Sequence, residues 1–235
     1  MSEKIIPISP RQIRNRRIKV FGLTGLSTLL ATLKWMTVIP SDASLLTAFL
    51  MIVLFMLTFG WIALFFWSSI FGFTELLRGR KIPGIIWPDP NRQPVSRTAI
   101  LMPVYNESPQ SVFANLLAMA KSLEKTGQQK FYDIFVLSDT TNPKVWIEEE
   151  ETWMKMRQMM PADMNMYYRR RPINVARKSG NIEDFCQKWG AFYDFMIVLD
   201  ADSLLTGQTM LTMTLLMETN KQTGIIQAPP MCINR

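Results

Sequence analysis

The segment FMIVLDADS carries two carboxylates, Asp200 and Asp202, directly after an apolar run. In an extended backbone, residues two apart point to the same side, so both side chains are expected to face one cavity. Two carboxylates that close repel each other, and a divalent cation beside them removes the repulsion. Mg²⁺ or Mn²⁺ suits such oxygen ligands and is commonly shared with substrate phosphates. The pair therefore indicates a metal–diphosphate site, with a solvated turn as the alternative.

Other charged residues suggest an anion site nearby. A second apolar run, YDIFVLSD, ends in Asp139. A cluster of cations precedes Gly180, where the sequence predicts a helix to begin, and cations beside a helix N-terminus favour anion binding. Lys178 is the candidate for contacting phosphates, whereas at least two of the arginines are expected to lie in a solvated or lipid-facing patch. The cluster consists of Arg169, Arg170, Arg171, Arg177 and Lys178.

Composition restricts the chemistry further. The chain has no histidine, which removes the usual general base and the commonest transition-metal ligand. The two cysteines, Cys186 and Cys232, are too few for a disulfide framework and lack metal-ligand spacing, so they are expected to be reduced. The glycine-rich signatures of P-loop NTPases and of dinucleotide-binding proteins are absent from the sequence.

From Thr98 onward, short apolar runs alternate with segments of helical periodicity. This alternation predicts an α/β, Rossmann-like fold, with a mainly parallel sheet and helices on both faces. Ligands of such sheets bind beyond the carboxyl ends of the strands, which would bring Asp139 and Asp200 together. The helix after Asn142 is expected to expose Glu148 to Glu151 to solvent. Strands are predicted at residues 98–104, 132–139, 164–170, 195–200 and 224–228.

The N-terminal region has the character of a membrane hairpin. No charged residue occurs from Ala43 to Thr74, and residues 45–67 predict a transmembrane helix, with a buried helix pair in a soluble domain as the alternative. Residues 20–40 predict a weaker span containing Lys34, or else an amphipathic helix on the membrane surface. Cations flank the hairpin but not its connector, so both flanks are expected in the cytosol.

These patterns divide the chain into four parts. Residues 1–19 are expected to form a basic cytosolic tail, and residues 20–77 two transmembrane helices. Residues 78–97, rich in proline and charge, have the composition of a linker. Residues 98–235 form the α/β domain.

Four motifs, ILMPVYNES, VLSDT, ARKSGN and VLDADS, occur in this order from residue 98 to about residue 230. Together they resemble the processive family 2 glycosyltransferases, which have a GT-A fold. Longer strings, such as SDTTNP, RKSGNIEDFC and DADSLLTG, resemble the bacterial branch that builds the β-linked glucose backbone of osmoregulated periplasmic glucans. The resemblance implies a membrane-anchored, inverting enzyme that uses UDP-glucose.

The resemblance also implies roles for residues at the nucleotide. Tyr105 and Glu107 would line the uridine pocket, and Asp139 would bind the uracil or the ribose. Lys178 and Gly180 would touch the nucleotide.

At the diphosphate, the resemblance implies that Asp200 lies near the ribose and the metal, and that Asp202 coordinates Mg²⁺ or Mn²⁺. Gln227 follows the last predicted strand, and its role is left open. The family's general base and acceptor motif do not occur in this sequence, so no catalytic residue is identified and the base is expected beyond Arg235.

The resemblance therefore predicts a fragment whose GT-A domain is incomplete at the C-terminus. Its expected partners are UDP-glucose, a growing glucan acceptor, membrane lipids and the missing C-terminal half of the enzyme, but no nucleic acid. Its expected location is the bacterial inner membrane, as a multi-pass protein with the N-terminus and the glycosyltransferase domain in the cytoplasm.

Two other classes of function compete with this interpretation. A non-catalytic membrane scaffold would use the basic tail and the cytosolic domain to bind lipid or a partner protein. A nucleic-acid-binding protein would use the cationic cluster with Tyr167 and Tyr168, although no recognised nucleic-acid motif is present.

Overall fold

The computed structural model of the chain describes residues 10–77, 85–89 and 91–228. The chain divides into two compact units, Met1–Ile85 and Ile86–Arg235. The first unit contains the helices α1 (Pro10–Met36) and α2 (Leu45–Leu77). The second unit contains the parallel sheet and the aspartates that the sequence analysis assigns to the candidate site.

Helices α1 and α2 form an antiparallel hairpin. Near the turn between them, Trp35 stacks on Phe55 with ring centroids 4.9 Å apart. Near their other ends, Arg16 Nη2 lies 3.5 Å from Glu75 Oε1. Since the first contact joins the end of α1 to the beginning of α2 and the second joins the opposite ends, the helices run in opposite directions.

Helix α2 is long and apolar enough to cross a membrane, with a mean hydropathy of 2.6 in its most apolar stretch. Only 6% of that stretch is buried, which is unlike the core helix of a soluble protein. Within the described residues, α2 alone meets this criterion. Helix α1 begins at Pro10, so the basic residues 11–19 belong to a helix that continues into the weaker predicted span. Membrane insertion of the hairpin stays a prediction.

Within the described residues, the second unit contains the strands β1 (Thr98–Val104), β2 (Tyr132–Ser138), β3 (Met166–Arg170) and β4 (Phe195–Val198). They form one sheet in the order β3-β2-β1-β4, and every neighbouring pair is parallel. The predicted α/β fold is confirmed, and the arrangement is consistent with a GT-A-like domain. The observed bounds of β1 are the predicted ones. A central strand is buried on both faces, so it appears in the sequence as a nearly continuous apolar run whose ends are easy to locate.

Both faces of the sheet are covered by helices, namely α3 (Pro109–Glu124), α4 (Pro143–Arg157), α5 (Arg177–Trp189) and α6 (Gly207–Thr219). On one face, Ile100 and Met102 of β1 belong to a core that includes α3, α4 and α6. On the other face, Ala99 and Leu101 pack with Phe185 of α5. Alternate residues of β1 therefore point into two separate cores.

The strand predicted at residues 224–228 is wrong, because this segment has neither helical nor strand structure. A strand is held by its ladder of backbone hydrogen bonds, and this segment pairs with no strand among the described residues. Its apolar residue Ile225 is 87% exposed, so no core stabilises it here. Helix α6 likewise ends at Thr219 rather than near Gly224.

Much of the predicted linker is fastened to the end of α6. The backbone N–H groups of Val95 and Ser96 donate to Glu218 Oε1 at 2.8 and 2.9 Å. Ile86 donates its N–H to Asn220 Oδ1 at 2.9 Å and accepts from Asn220 Nδ2 at the same distance. The segment from Ile86 onward thus belongs to the α/β unit. The remaining predicted linker residues, 78–84 and 90, lie outside the described part of the chain.

Gly207 marks a close contact between α6 and α3. A Cβ atom at this position would lie 2.2 Å from the backbone oxygen of Ser122, so the two helices would have to separate. We expect Gly207→Ala to lower the free energy of unfolding by about 1–3 kcal/mol, as overpacking does in other cores. Gly224→Ala is the matched control, since a Cβ atom there would meet nothing within 4 Å. Equal thermal unfolding midpoints for the two variants would contradict this prediction.

Candidate functional site

A cleft of about 900 Å³ opens at the carboxyl ends of β1, β2 and β4. This volume is in the range of sites for small molecules and cofactors, and the location is the usual one in open parallel sheets. The loops after these strands and the first turn of α5 line it. Among its lining residues are Tyr105, Glu107, Asp139, Lys178, Asp200 and Asp202.

The loop after β1 forms one wall of the cleft. Tyr105 is 55% exposed, and its backbone N–H donates to the carboxylate of Glu107. Asn106, between them, has a φ of 60°, which asparagine tolerates better than most residues. Its side-chain oxygen accepts from the N–H groups of Thr141 and Asn142 at 3.2 and 3.1 Å. The loop after β1 is therefore tied to the loop after β2.

Asp139 is 4% exposed and forms a buried ion pair with Arg171. Arg171 Nε lies 2.8 Å from Asp139 Oδ1, and Nη2 lies 2.7 Å from Oδ2. This two-point contact raises the pKa of Arg171, chiefly through the hydrogen bond to Asp139. Asp139 thus lines the cleft as predicted, but its negative charge is compensated by Arg171, and the sequence did not indicate this pairing.

Arg171 also shapes the entry to α5. Its guanidinium donates to the backbone oxygens of Val175 at 3.2 Å and Arg177 at 3.1 Å. Between these contacts the backbone turns through Ala176 and Arg177, both with positive φ. Helix α5 starts at Arg177, not at Gly180, and its first residues reach the cleft.

Gly180 is buried and does not line the cleft. A Cβ atom there would lie 2.1 Å from the backbone oxygen of Val175. The glycine therefore allows α5 to approach the preceding loop closely, and the structure does not bring it together with the other predicted site residues.

Asp200 and Asp202 lie on the turn after β4. The backbone N–H of Ser203 donates to Asp200 O at 2.8 Å, and the Asp200 N–H donates to Ser203 Oγ at 3.1 Å. Lys178 forms an ion pair with Asp200 and donates to Leu199 O at 3.2 Å. Both carboxylates are exposed to the cleft.

Asp200 and Asp202 offer too few ligands for a metal site formed by the protein alone, but enough for an ion that also binds a phosphate. Among the described residues, no group of three or more acidic, cysteine or histidine side chains could hold a metal. Mg²⁺ and similar ions commonly use one or two carboxylates and complete their coordination with phosphate oxygens and water. Asp200 and Asp202 therefore suit an ion that arrives with a phosphate ligand.

Arg169 and Arg170 of the cationic cluster do not line the cleft. Arg169 pairs with Asp184 at 3.0 Å, and burial lowers the pKa of Arg169. Burial would raise the pKa of Asp184, but its contacts with Lys188 and Arg169 lower it overall. Arg170 lies over the ring of Trp146, 4.6 Å from its centroid. Of the cluster, Arg177 and Lys178 line the cleft, and this distribution does not favour the nucleic-acid alternative.

Glu149 was expected on a solvated face, but it is only 2% exposed. Its carboxylate accepts from the hydroxyls of Ser138 at 2.6 Å, Thr140 at 2.6 Å and Tyr168 at 2.9 Å. Burial is the main cause that raises the pKa of Tyr168. Helical spacing could have identified this glutamate, because it lies four residues before Trp153, which packs against the core.

No protein-family profile matches the chain. Curated homologues are named glucans biosynthesis glucosyltransferase H. The one from Vibrio cholerae is 43% identical over 221 residues, covering 93% of this chain and 30% of the homologue. Those from Klebsiella pneumoniae and Escherichia coli K12 are each 41% identical over 182 residues, covering 76% of this chain and 22% of the homologue. The chain thus spans less than a third of the length of these relatives.

Proposed function

We propose that this chain, a homologue of the glucans biosynthesis glucosyltransferases H over most of its length, forms the donor-binding part of a membrane-anchored glucosyltransferase. Its donor is UDP-glucose, and its product is the β-linked backbone of osmoregulated periplasmic glucans. The reaction inverts the configuration at the anomeric carbon. The donor sugar and the linkage follow from the family resemblance.

One observation carries this proposal. The residues that the resemblance assigns to the donor, apart from Gly180, line a single cleft at the carboxyl edge of the sheet. They come from segments far apart in sequence, and only the parallel topology brings them together. A scaffold protein has no need of such a convergence of carboxylates and cations.

The nucleoside is assigned to the wall between β1 and β2. Tyr105 offers an exposed aromatic ring for the uracil, and Glu107 lies beside it. Asp139 binds the uracil or the ribose through its carboxylate oxygens. Because Arg171 already neutralises Asp139, this carboxylate accepts hydrogen bonds without adding an uncompensated charge next to the diphosphate.

The diphosphate is assigned to the side of the cleft formed by α5 and the turn after β4. When UDP leaves, negative charge develops on its β-phosphate, and Lys178 and Arg177 are the cations of the cleft that stabilise it. A Mg²⁺ or Mn²⁺ ion held by Asp202 and Asp200 supplies further positive charge when bound. The acceptor hydroxyl attacks the anomeric carbon from the opposite face and transfers its proton to a general base.

Helix α2 is proposed to anchor the protein in the bacterial inner membrane, with α1 as the second arm of the hairpin. The exposed apolar surface of α2 supports this, because contact of so much apolar surface with water is unfavourable in free energy. The basic residues before the hairpin are proposed to face the cytoplasm and anionic lipids.

The proposal predicts metal-dependent binding of UDP. We expect the full 235-residue chain, purified in detergent, to bind UDP more tightly with Mn²⁺ than with a chelator in isothermal titration calorimetry. UMP, which lacks the second phosphate, is the control and should gain much less from Mn²⁺. Failure to detect UDP binding in either condition would refute the proposed function.

A further inference from the structure

We propose that Thr140 is a positioning residue for nucleotide binding, through which the buried carboxylate of Glu149 holds the loop that carries Tyr105 and Glu107. This inference rests on the proposed function, because it assigns that loop to the nucleoside. It adds a residue outside the motif YNE, on a different strand–helix connection, to the structure that recognises the donor.

The loop after β1 is hydrogen-bonded to Thr140 in the loop after β2. The backbone N–H of Asn106 donates to Thr140 Oγ1 at 3.0 Å. Asn106 is the residue with positive φ between Tyr105 and Glu107, so its peptide orientation determines where both neighbouring side chains lie. Thr140 is only 1% exposed and offers a fixed acceptor, whereas a water molecule would not.

The hydroxyl of Thr140 donates one hydrogen bond and accepts another. Thr140 Oγ1 donates to Glu149 Oε1 at 2.6 Å, and a threonine hydroxyl has one proton to donate. The single hydroxyl proton of Thr140 is therefore given to Glu149. This leaves the oxygen lone pairs of Thr140 to face the Asn106 N–H, and a chain of bonds runs from the buried carboxylate to the cleft wall.

The carboxylate of Glu149 accepts hydrogen bonds from other residues besides Thr140. Glu149 Oε2 accepts from Ser138 and Tyr168, so the glutamate is fixed independently of Thr140. Tyr168 lies on β3, and its hydrogen bond to Glu149 does not lead to the loop after β1. Thr140 and Tyr168 thus make comparable bonds to the same carboxylate, but only the bond of Thr140 continues to the cleft.

This difference supplies a matched pair of variants, Thr140→Val and Tyr168→Phe. Each removes one hydroxyl from Glu149 with little change of shape, and we expect both to lower the thermal unfolding midpoint of the full chain. Thr140→Val should lower it further, because it also removes the acceptor of the Asn106 N–H. In calorimetry with saturating Mn²⁺, Thr140→Val should weaken UDP binding about tenfold, the effect of one lost hydrogen bond of ordinary strength. Tyr168→Phe should change the dissociation constant by less than about twofold.

Two further measurements complete the test. Thr140→Ser restores the hydroxyl and should return the UDP affinity to the wild-type value. In the wild-type chain, the amide of Asn106 should be protected from hydrogen exchange although it lies in a surface loop, and this readout needs no variant to fold.

The inference is overturned if Thr140→Val and Tyr168→Phe have the same UDP affinity, or if the Asn106 amide exchanges at the rate of an unprotected amide. If the wild-type chain binds no UDP, the proposed function fails, and this inference fails with it. A chain that binds UDP but shows no difference between the two variants refutes only the role of Thr140.

Discussion

Asp202→Ala is expected to remove the dependence of UDP binding on Mn²⁺. The turn after β4 places two carboxylates in the cleft, and Asp200 is already paired with Lys178. Asp202 is therefore the proposed ligand whose charge has no such compensation among the described contacts. Loss of groups that only orient a metal ligand commonly costs 10–100-fold in affinity, and loss of a ligand should cost at least as much. We therefore expect UDP affinity in the presence of Mn²⁺ to fall by about 100-fold or more.

The measurement is a calorimetric titration of the full chain with UDP, in Mn²⁺ and in a chelator. In the chelator, Asp202→Ala and the wild type should bind UDP about equally, because the variant loses the ion and not the nucleoside contacts. Glu151→Ala removes an exposed carboxylate of α4, outside the residues that line the cleft, and serves as the control for net charge. If Asp202→Ala retained the full Mn²⁺ effect, the assignment of the metal to this turn would be wrong.

The sheet and the meeting point of the carboxylates could be predicted because both depend on local sequence. After Thr98, strand β1 is apolar from Ala99 to Val104, as expected for a strand buried on both faces, and its predicted bounds are those observed. Asp139 follows β2 and Asp200 follows β4, the two strands that flank β1 in the same parallel sheet. They therefore emerge at the same edge whatever the details of packing.

The partners of these residues could not be predicted in the same way. The pair of Asp139 with Arg171 depends on a turn through two non-glycine residues with positive φ, which no local preference favours. Glu149 stands in a run of four glutamates, and only the position of the run on α4 relative to the core separates the buried one from its neighbours. The attachment of Ser96 to Glu218 likewise joins segments more than a hundred residues apart, beyond the reach of any local pattern.

Arg171→Ala is expected to destabilise the α/β unit more than any single substitution on the cleft surface. It would leave the Asp139 carboxylate buried without its cation, which in comparable cases costs about 3–5 kcal/mol. It would also remove the bonds to the backbone oxygens of Val175 and Arg177 that hold the start of α5. For a chain of this size, the thermal unfolding midpoint should fall by about 10 °C or more.

The double variant Arg171→Met, Asp139→Leu separates the two roles of this ion pair. Replacing both charges with apolar side chains removes the uncompensated carboxylate, so most of the lost stability should return. UDP binding should not return, because the apolar pair offers no acceptor to the nucleoside and no donors to the loop before α5. A double variant that recovered both stability and UDP affinity would show that the pair serves only the fold, and Asp139 would then have to be withdrawn from the donor site.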